Sequence, residues 1–463
     1  MINLKFLIFS VLCLSVIVAG TSNDSLCSND IYDKKCLCKK FTNEVTHLPT
    51  SQANCNGLGL TQFPSFSQLP EDITSLDLSM NGISVLEYSN ASLSGTLQKL
   101  VLSYNEICDI NDDFFEGFSK LRYLDLSNNN LTAITNAHIF FKLKDLSYLD
   151  LSYNKFKELP SKIFESLINL KRLSLSYNPL GSFLSSKAVL SEVLGISSNL
   201  SQLNLNNMGL TELHPDYFGT FKILKHIELQ DNAFNTIPSL PYSMEYLDFS
   251  GNNLSYISAK YLNYHSLKTL RLSRMPSLVS VHHYAFYNLQ SLETLVLTDC
   301  PNLNEFTELA FGLASKTMDI HPKTLNLARN GLSALNFSYA HMFRKMQHID
   351  LRHNPWDCSC DLLWMQEFGA EFFKGEEIRC ATPQHLRRKS LLKITHLDVP
   401  DCFPEIYGKM SHRITIVILM TTVIFLIGLI FYLIRYPKSW ISPERIGLGP
   451  NSPYSPAPQD SSV

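Results

Sequence analysis

From residue 73 to residue 354 the chain repeats itself with a period near 24 residues, and that repetition decides most of what it can fold into. The frame is L-x-x-L-x-L-x-x-N-x-L, carried by Leu97, Leu100, Leu102, Asn105 and Ile107, and again by Leu121, Leu124, Leu126, Asn129 and Leu131. It returns at Leu146, Leu170, Leu200, Leu224, Met244, Leu267, Leu292, Pro322 and Met346, with an opening copy at Ile73, making twelve repeats. One such unit cannot bury its apolar face alone, whereas stacked units share a core. The expected fold is therefore an α/β repeat, a curved solenoid of horseshoe form.

Each position in the frame has a mechanical reason. The L-x-L core is a short strand, so the leucines point inward and the residues between them face the concave side. The Asn turns inward after the strand, where its amide satisfies backbone groups that would otherwise be buried unpaired at a cost of about 1–3 kcal/mol each. That ladder is Asn81, Asn105, Asn129, Asn154, Asn178, Asn232, Asn252, Asn330 and Asn354. Pairs such as Phe115 and Phe118, Phe140 and Leu143, Phe164 and Leu167, Phe218 and Phe221, or Phe286 and Leu289 are placed to fill the convex side. Three rungs depart. Cys300 can still donate weakly, but Met208 and Met275 cannot, so repeats six and nine are expected to be irregular. Met275 and Cys300 are each followed by Pro and by an apolar residue one place late, Leu278 and Leu303, which points to a shared variant turn.

Hydrophobicity addresses both ends. Met1 to Lys5, then an apolar run to Val18 and the small pair Ala19-Gly20, reads as a secretory signal peptide. Ile414 to Ile434 carries no charge over 21 residues and is bracketed by Arg413 and Arg435. At about 1.5 Å per residue it spans roughly 31 Å, the thickness of a hydrocarbon core. The expected topology is single-pass type I at the plasma membrane, with the N-terminal side outside. Six Asn-x-Ser/Thr sequons, at Asn23, Asn90, Asn130, Asn199, Asn253 and Asn336, all precede the membrane segment, as glycosylation requires.

Once Cys13 leaves with the signal peptide, ten of eleven cysteines remain, and eight of them cluster in two groups of four before and after the repeats. In an oxidising compartment such clusters are disulfides, and each group of four allows three connectivities. The stretches C-N-G-L-G-L-T-Q-F-P from Cys55 and N-P-W-D-C-S-C-D-L-L-W from Asn354 resemble the two cysteine caps of the extracellular leucine-rich-repeat receptor and adhesion family, which includes Toll-type and Slit-like proteins. Caps and repeats together cover nearly all of the ectodomain. The resemblance implies the pairs Cys27 with Cys38, Cys36 with Cys55, Cys358 with Cys380 and Cys360 with Cys402. Cys108 and Cys300 lie eight repeats apart, cannot pair with each other, and are expected as free or buried thiols. The expected organisation is a signal peptide at 1–20, an N-terminal cap at 21–72, repeats at 73–354, a C-terminal cap at 355–403, a linker at 404–413, a transmembrane helix at 414–434 and a cytoplasmic tail at 435–463. The chain departs from Toll-type receptors in that tail, whose 29 residues cannot form a folded signalling domain.

A net charge of -3 over this length offers no acidic or basic field strong enough to argue for nucleic acid or for a charged polymer as partner. No phosphate loop, nucleophile elbow, H-E-x-x-H or C-x-x-C is present, so no enzyme and no cofactor is expected. His282 and His283 are adjacent and, on a strand, would face opposite ways, a poor metal site. Gly57 and Gly59 mark a turn in the cap. Binding is the expected work, since the second, third, fifth, seventh and eighth positions of each repeat put Tyr104, Tyr123, Tyr148, Tyr153, Tyr177 and Tyr246 on the concave face, and tyrosines supply large area at low entropic cost. Lys268, Arg271 and Arg274 face the same way beside Glu228, Asp231 and Asp248, a mixed patch expected to form local ion pairs. Twelve strands at about 4.8 Å give an inner arc of roughly 50 Å, room for a protein partner. Ser461, Ser462 and Val463 resemble a PDZ ligand, which would recruit an adaptor by strand addition to the Pro/Ser-rich tail. The expected function is a receptor or co-receptor for an extracellular protein, the alternative being adhesion to itself or to matrix.

Overall fold

The computed structural model describes residues 25–28, 35–42, 49–87, 94–187, 189–312, 322–373, 378–402 and 404–435. The signal-peptide segment, Asn23, Asn90 and the tail with Ser461 and Val463 lie outside the described residues.

Twelve short strands, one per repeat, lie side by side from Ile73–Asp77 to His348–Asp350. Every neighbouring pair along this run is parallel and in register, for example Tyr123 opposite Tyr148 and Asp125 opposite Asp150. At the N-terminal end the sheet continues into the cap through Pro49–Asn54, which pairs antiparallel with Cys36–Thr42 and brings the total to fifteen strands. Period-2 alternation governs each strand: Leu100, Leu124, Leu149, Leu173 and Leu203 point inward and are at most 2% exposed, while their flanking residues face out. On the opposite side the phenylalanines form a spine, Phe115 to Phe140 at 5.6 Å and Phe140 to Phe164 at 6.2 Å between ring centroids, all three fully buried.

The Asn ladder binds one repeat to the next. Asn129 donates from Nδ2 to the carbonyls of Leu102 and Leu126, at 2.9 and 3.1 Å, and accepts at Oδ1 from the Ile107 N–H at 3.0 Å. Asn105, Asn154, Asn178 and Asn232 make the same three kinds of bond. The departures from the ladder behave as their chemistry dictates. With Met208 unable to serve repeat five, the Leu180 N–H turns to Asn178 O and the Gly181 N–H to Met208 O, both at 2.8 Å, and a short helix, Gly181–Ser185, starts there. Cys300 donates its thiol to Leu272 O and Thr298 O. Leu278 and Leu303 donate to the carbonyls of Met275 and Cys300, so both variant turns close with one bond pattern, and the strands that follow them, Ser280–Val281 and Glu305–Phe306, join Tyr256–Ile257 in a small three-stranded sheet.

Gly181 is a close approach between repeats: a Cβ there would stand 2.5 Å from Met208 O and from both carbonyl atoms of Gly209. Gly181→Ala is therefore expected to force the two turns apart and destabilise the solenoid by about 1–3 kcal/mol. Thermal unfolding of the variant checks this; an unchanged midpoint would show that the turns can part freely.

The structure bonds Cys27 to Cys38, Cys36 to Cys55 and Cys358 to Cys380. Cys360 and Cys402 are each disulfide-bonded as well. Cys300 is a buried free thiol, held well above the ordinary thiol range by burial, at about 11. Cys108 corrects the expectation of a thiol, because it too is disulfide-bonded. Its distance from Cys300 excluded one pairing but not every pairing, and its partial exposure leaves the sulfur reachable. At the C-terminal end Trp356 and Trp364 donate their indole N–H groups to Leu351 O and Leu335 O, sealing the last core layer with satisfied aromatic side chains.

Residues 394–463 form a separate unit. Its helix runs Pro404–Arg435, so the stretch expected as a linker is helical, opened by a Pro at the first helical position, where its missing N–H costs nothing. Arg413–Arg435, 23 residues, is long and apolar enough to cross a membrane.

Candidate functional site on the concave sheet

The third position of each repeat forms one row across the sheet. In repeats two to five it reads Lys99, Tyr123, Tyr148 and Arg172. The two tyrosine rings stack with centroids 4.1 Å apart and planes 3° from parallel. Lys99 Nζ lies 5.0 Å from the Tyr123 ring centroid, and the Arg172 guanidinium lies 5.3 Å from that of Tyr148. Two flat rings thus stand between two cations, an arrangement favoured by ring quadrupoles. In-register strands about 4.8 Å apart produce such a stack whenever one aromatic type recurs at one position.

The fifth position forms the next row and carries Asp125 and Asp150 on the same two strands. Asp125 accepts from the Ser127 N–H at 2.9 Å, and Asp150 accepts from the Ser152 N–H at 2.8 Å and the Tyr148 hydroxyl at 3.1 Å. Among the described residues neither carboxylate has a cation within ion-pair distance. Burial, and then repulsion from Asp150, hold the Asp125 carboxyl above its ordinary range against the lowering by Ser127. Burial and then Asp150 push the Tyr148 hydroxyl well up too. Asp77 opens this row in repeat one and accepts from the Ser79 N–H in the same way, whereas the acids from repeat seven onward differ. Asp248, buried, pairs with Arg271 at 3.1 Å, Asp350 with Arg352 at 2.8 Å, and Glu228 with His226 at 3.0 Å, which holds Glu228 below the usual carboxylate range.

The six tyrosines therefore divide. Tyr123, Tyr148 and Tyr246 are strand residues, whereas Tyr104, Tyr153 and Tyr177 sit past the strand end at the eighth position with φ of 55°, 53° and 56°. This left-handed conformation is costly for an aromatic residue; here the ladder holds it, with each N–H bonded to the next repeat. Tyr153 and Tyr177 stack at 4.0 Å, and Tyr153 is pushed up to about 12 by burial and by Tyr177. Tyr104 is separated from them by Asn128, the eighth residue of repeat three. Tyr246 lies four strands from Tyr148 and stacks instead on His226, at 4.0 Å. At the seventh position Ser103, Ser127, Ser152 and Ser176 are buried, and Ser152 Oγ donates to the fifth-position carboxylate of Asp150, as Arg352 does to Asp350. The expected mixed patch resolves into pairs, Lys268 with Glu245 at 2.7 Å, Arg271 with Asp248, and Arg274 with Asp231 at 3.1 Å. Sequence reading missed Lys99, Arg172, Asp125 and Asp150. Their signal was the tripeptide Tyr-Leu-Asp, present at Tyr123, Tyr148 and Tyr246 alike.

Among the sequons, Asn199, Asn253 and Asn336 are exposed, and the half-buried Asn130 accepts from Lys155 Nζ at 2.7 Å. His282 stacks on Tyr256 and His283 hydrogen-bonds Thr307.

Known families match along the solenoid. A leucine rich repeat model matches residues 71–131, 95–156 and 136–180, and a BspA type leucine rich repeat region model matches residues 239–340. The solenoid is built of leucine-rich repeats. This leucine-rich-repeat ectodomain is 28% identical to Tsukushi of Gallus gallus over 66% of this chain and 73% of that protein. It is 28% identical to trophoblast glycoprotein of Macaca fascicularis, over 82% of this chain and 71% of the relative. To Toll-like receptor 3 of Boselaphus tragocamelus it is 26% identical over 61% of this chain, which covers only 32% of that receptor. Leucine-rich-repeat proteins in receptor roles thus stand among its relatives, in keeping with a ligand-binding ectodomain carried beside one candidate membrane helix.

Proposed function

We propose that the chain is a type I cell-surface receptor or co-receptor whose solenoid binds an extracellular protein on the concave sheet of repeats two to five. The observation that carries this reading is the pair Asp125 and Asp150: two adjacent, partly buried carboxylates without a cation, beside the stacked rings of Tyr123 and Tyr148. Like charges directly opposite on neighbouring strands destabilise a sheet, and the cap each gives to the N–H two residues on is made elsewhere in the row by an uncharged Asn, at Asn204 and Asn326. A guanidinium or ammonium from a partner neutralises the pair and packs against the rings, while Tyr104, Tyr153 and Tyr177 supply further contact area along the adjoining rim. Several rows of side chains are engaged at once, which fits a protein surface better than a small molecule.

The test is binding of the full-length chain, displayed on cells, to a panel of secreted and cell-surface ectodomains that includes its own. One foreign partner, lost on Tyr148→Ala, supports the receptor reading. Aggregation of expressing cells without added ligand moves the assignment to adhesion, and binding indifferent to Tyr148 and Asp125 removes the concave face from it.

Asp125 gives a sharper signature. A carboxyl whose folded pKa is raised costs stability above its unfolded pKa, and the cost fades as pH falls through the folded value. Asp125→Asn keeps the bond from Ser127 and removes that cost, so the variant is expected to unfold at a higher temperature than the parent at neutral pH. A cationic partner group needs the charged carboxylate, so affinity is expected to fall by about tenfold in the same variant, and in the parent as the pH drops through the raised pKa of Asp125. A variant that is both less stable and fully competent to bind would refute the assignment.

A further inference from the structure

The second position of each repeat lies on the rim where the chain enters the sheet, and backbone bonds join that row directly: the N–H groups of Arg122, Ser147, Lys171, Ser201, Lys225, Glu245, Lys268 and Glu293 each donate to the carbonyl of the preceding member, beginning at Gln98. The row has two electrostatic halves. From repeat seven to repeat eleven the signs alternate, Lys225, Glu245, Lys268, Glu293 and Lys323, and the charges close on one another, with Glu245 2.7 Å from both Lys225 and Lys268, and Lys323 3.1 Å from Glu293. Lys225 and Lys268 hold the Glu245 carboxyl down at about 2. This half neutralises itself.

In repeats three to five the same rim is basic. Arg122 and Lys171 occupy the row, Arg172 adjoins it, and Lys120, Lys142 and Lys144 stand on the loops leading into those strands, all six exposed. The ammonium groups of Lys142 and Lys144 both gather over the exposed Phe141 ring, at 5.7 and 5.6 Å. Asp145 stands one residue after Lys144, and among the described residues none of the six cations has an ion-pair partner. A chain-wide net charge of -3 conceals this segregation.

We propose that the rim of repeats three to five binds a sulfated polysaccharide, at a site separate from the concave tyrosines. The cations follow a line along the stack, with Arg122 and Lys171 two strand steps of about 4.8 Å apart, which suits an extended polymer whose charges recur. Flexible lysines act as point charges toward sulfate and need no pocket. On the concave side Asp125 and Asp150 repel a polyanion and confine it to the rim. Beyond repeat six the cations of the row itself, Lys225, Lys268 and Lys323, close onto Glu245 and Glu293, so the polymer's track along the row ends there.

The experiment uses the full-length chain in nanodiscs and a fluorescent heparin dodecasaccharide, titrated at low and at physiological salt. Heparin is expected to bind, and the triple variant Arg122→Ser, Lys144→Ser, Lys171→Ser is expected to bind about tenfold more weakly or worse, with a flatter salt dependence. The control, Lys225→Ser with Glu245→Ser in the balanced half, is expected to stay within about twofold of the parent. Arg122→Lys retains the charge and should retain binding. Failure of heparin to bind, or equal losses in the triple variant and the control, overturns the proposal. So does binding of a polyglutamate peptide that depends on Arg122 when heparin does not bind, since the rim would then serve an acidic protein.

Discussion

Asn154→Ala is expected to lower the unfolding free energy by about 3–5 kcal/mol, although the side chain lost is small and polar. Asn154 is 5% exposed and serves three backbone groups of two repeats, the carbonyls of Leu126 and Leu151 at 2.9 and 3.1 Å and the N–H of Leu131 at 3.1 Å. Alanine leaves the Leu131 N–H buried without a partner, at about 1–3 kcal/mol, and takes one of two amide donors from each carbonyl, Leu126 O keeping Asn129 and Leu151 O keeping Asn178, at about 0.5–1.5 kcal/mol for each bond lost. The chain itself shows a softer version, because Cys300 holds its rung through weaker sulfur contacts, among them those to Leu272 O and Thr298 O. Asn154→Cys should therefore be milder than Asn154→Ala. Denaturant unfolding ranks them, and hydrogen exchange should localise the damage to repeats three and four, since contacts in a stack reach only neighbouring repeats. If alanine and cysteine cost the same, hydrogen bonding is not what the rung supplies.

Phe140→Ala should cost a similar amount, about 3–5 kcal/mol, for an unrelated reason. The ring is fully buried on the convex side between Phe115 and Phe164, at 5.6 and 6.2 Å. Its removal deletes contacts to two repeats and leaves a cavity that two stacked units cannot both collapse to fill. Phe140→Leu, which refills most of the volume, should recover more than half of the loss. The spine and the concave sheet are on opposite sides of one layer of leucines, so a folded Phe140→Leu chain should keep its ligand. Lost binding with native unfolding behaviour would mean that the convex side takes part in recognition.

Much of this architecture was legible without coordinates because a repeat states its own geometry many times over. Leu124 and Leu149 announce the inward side of a strand, Asn129 announces the bend, and Phe115 with Phe118 announces the far wall; each is a local consequence of period and polarity. The disulfide state of Cys108 was not legible, since spacing rules out a distant partner without ruling out others. Nor was the burial of Ser127 and Ser152, whose N–H groups are turned toward Asp125 and Asp150 at the strand end.

The candidate site divides the same way. Sequence alone determined that tyrosines recur at the third and eighth positions, because register in a parallel stack follows from the repeat length. Which tyrosines meet was decided by the fold: the in-register strands join Tyr123 to Tyr148 and Tyr153 to Tyr177, and they leave Tyr246 with His226. Charge followed the same rule. The sequence supplies Lys225, Glu245 and Lys268 some twenty residues apart, and only stacking turns them into one neutral ladder while Arg122 and Lys171 stay bare, because Coulomb attraction depends on separation in space and not along the chain.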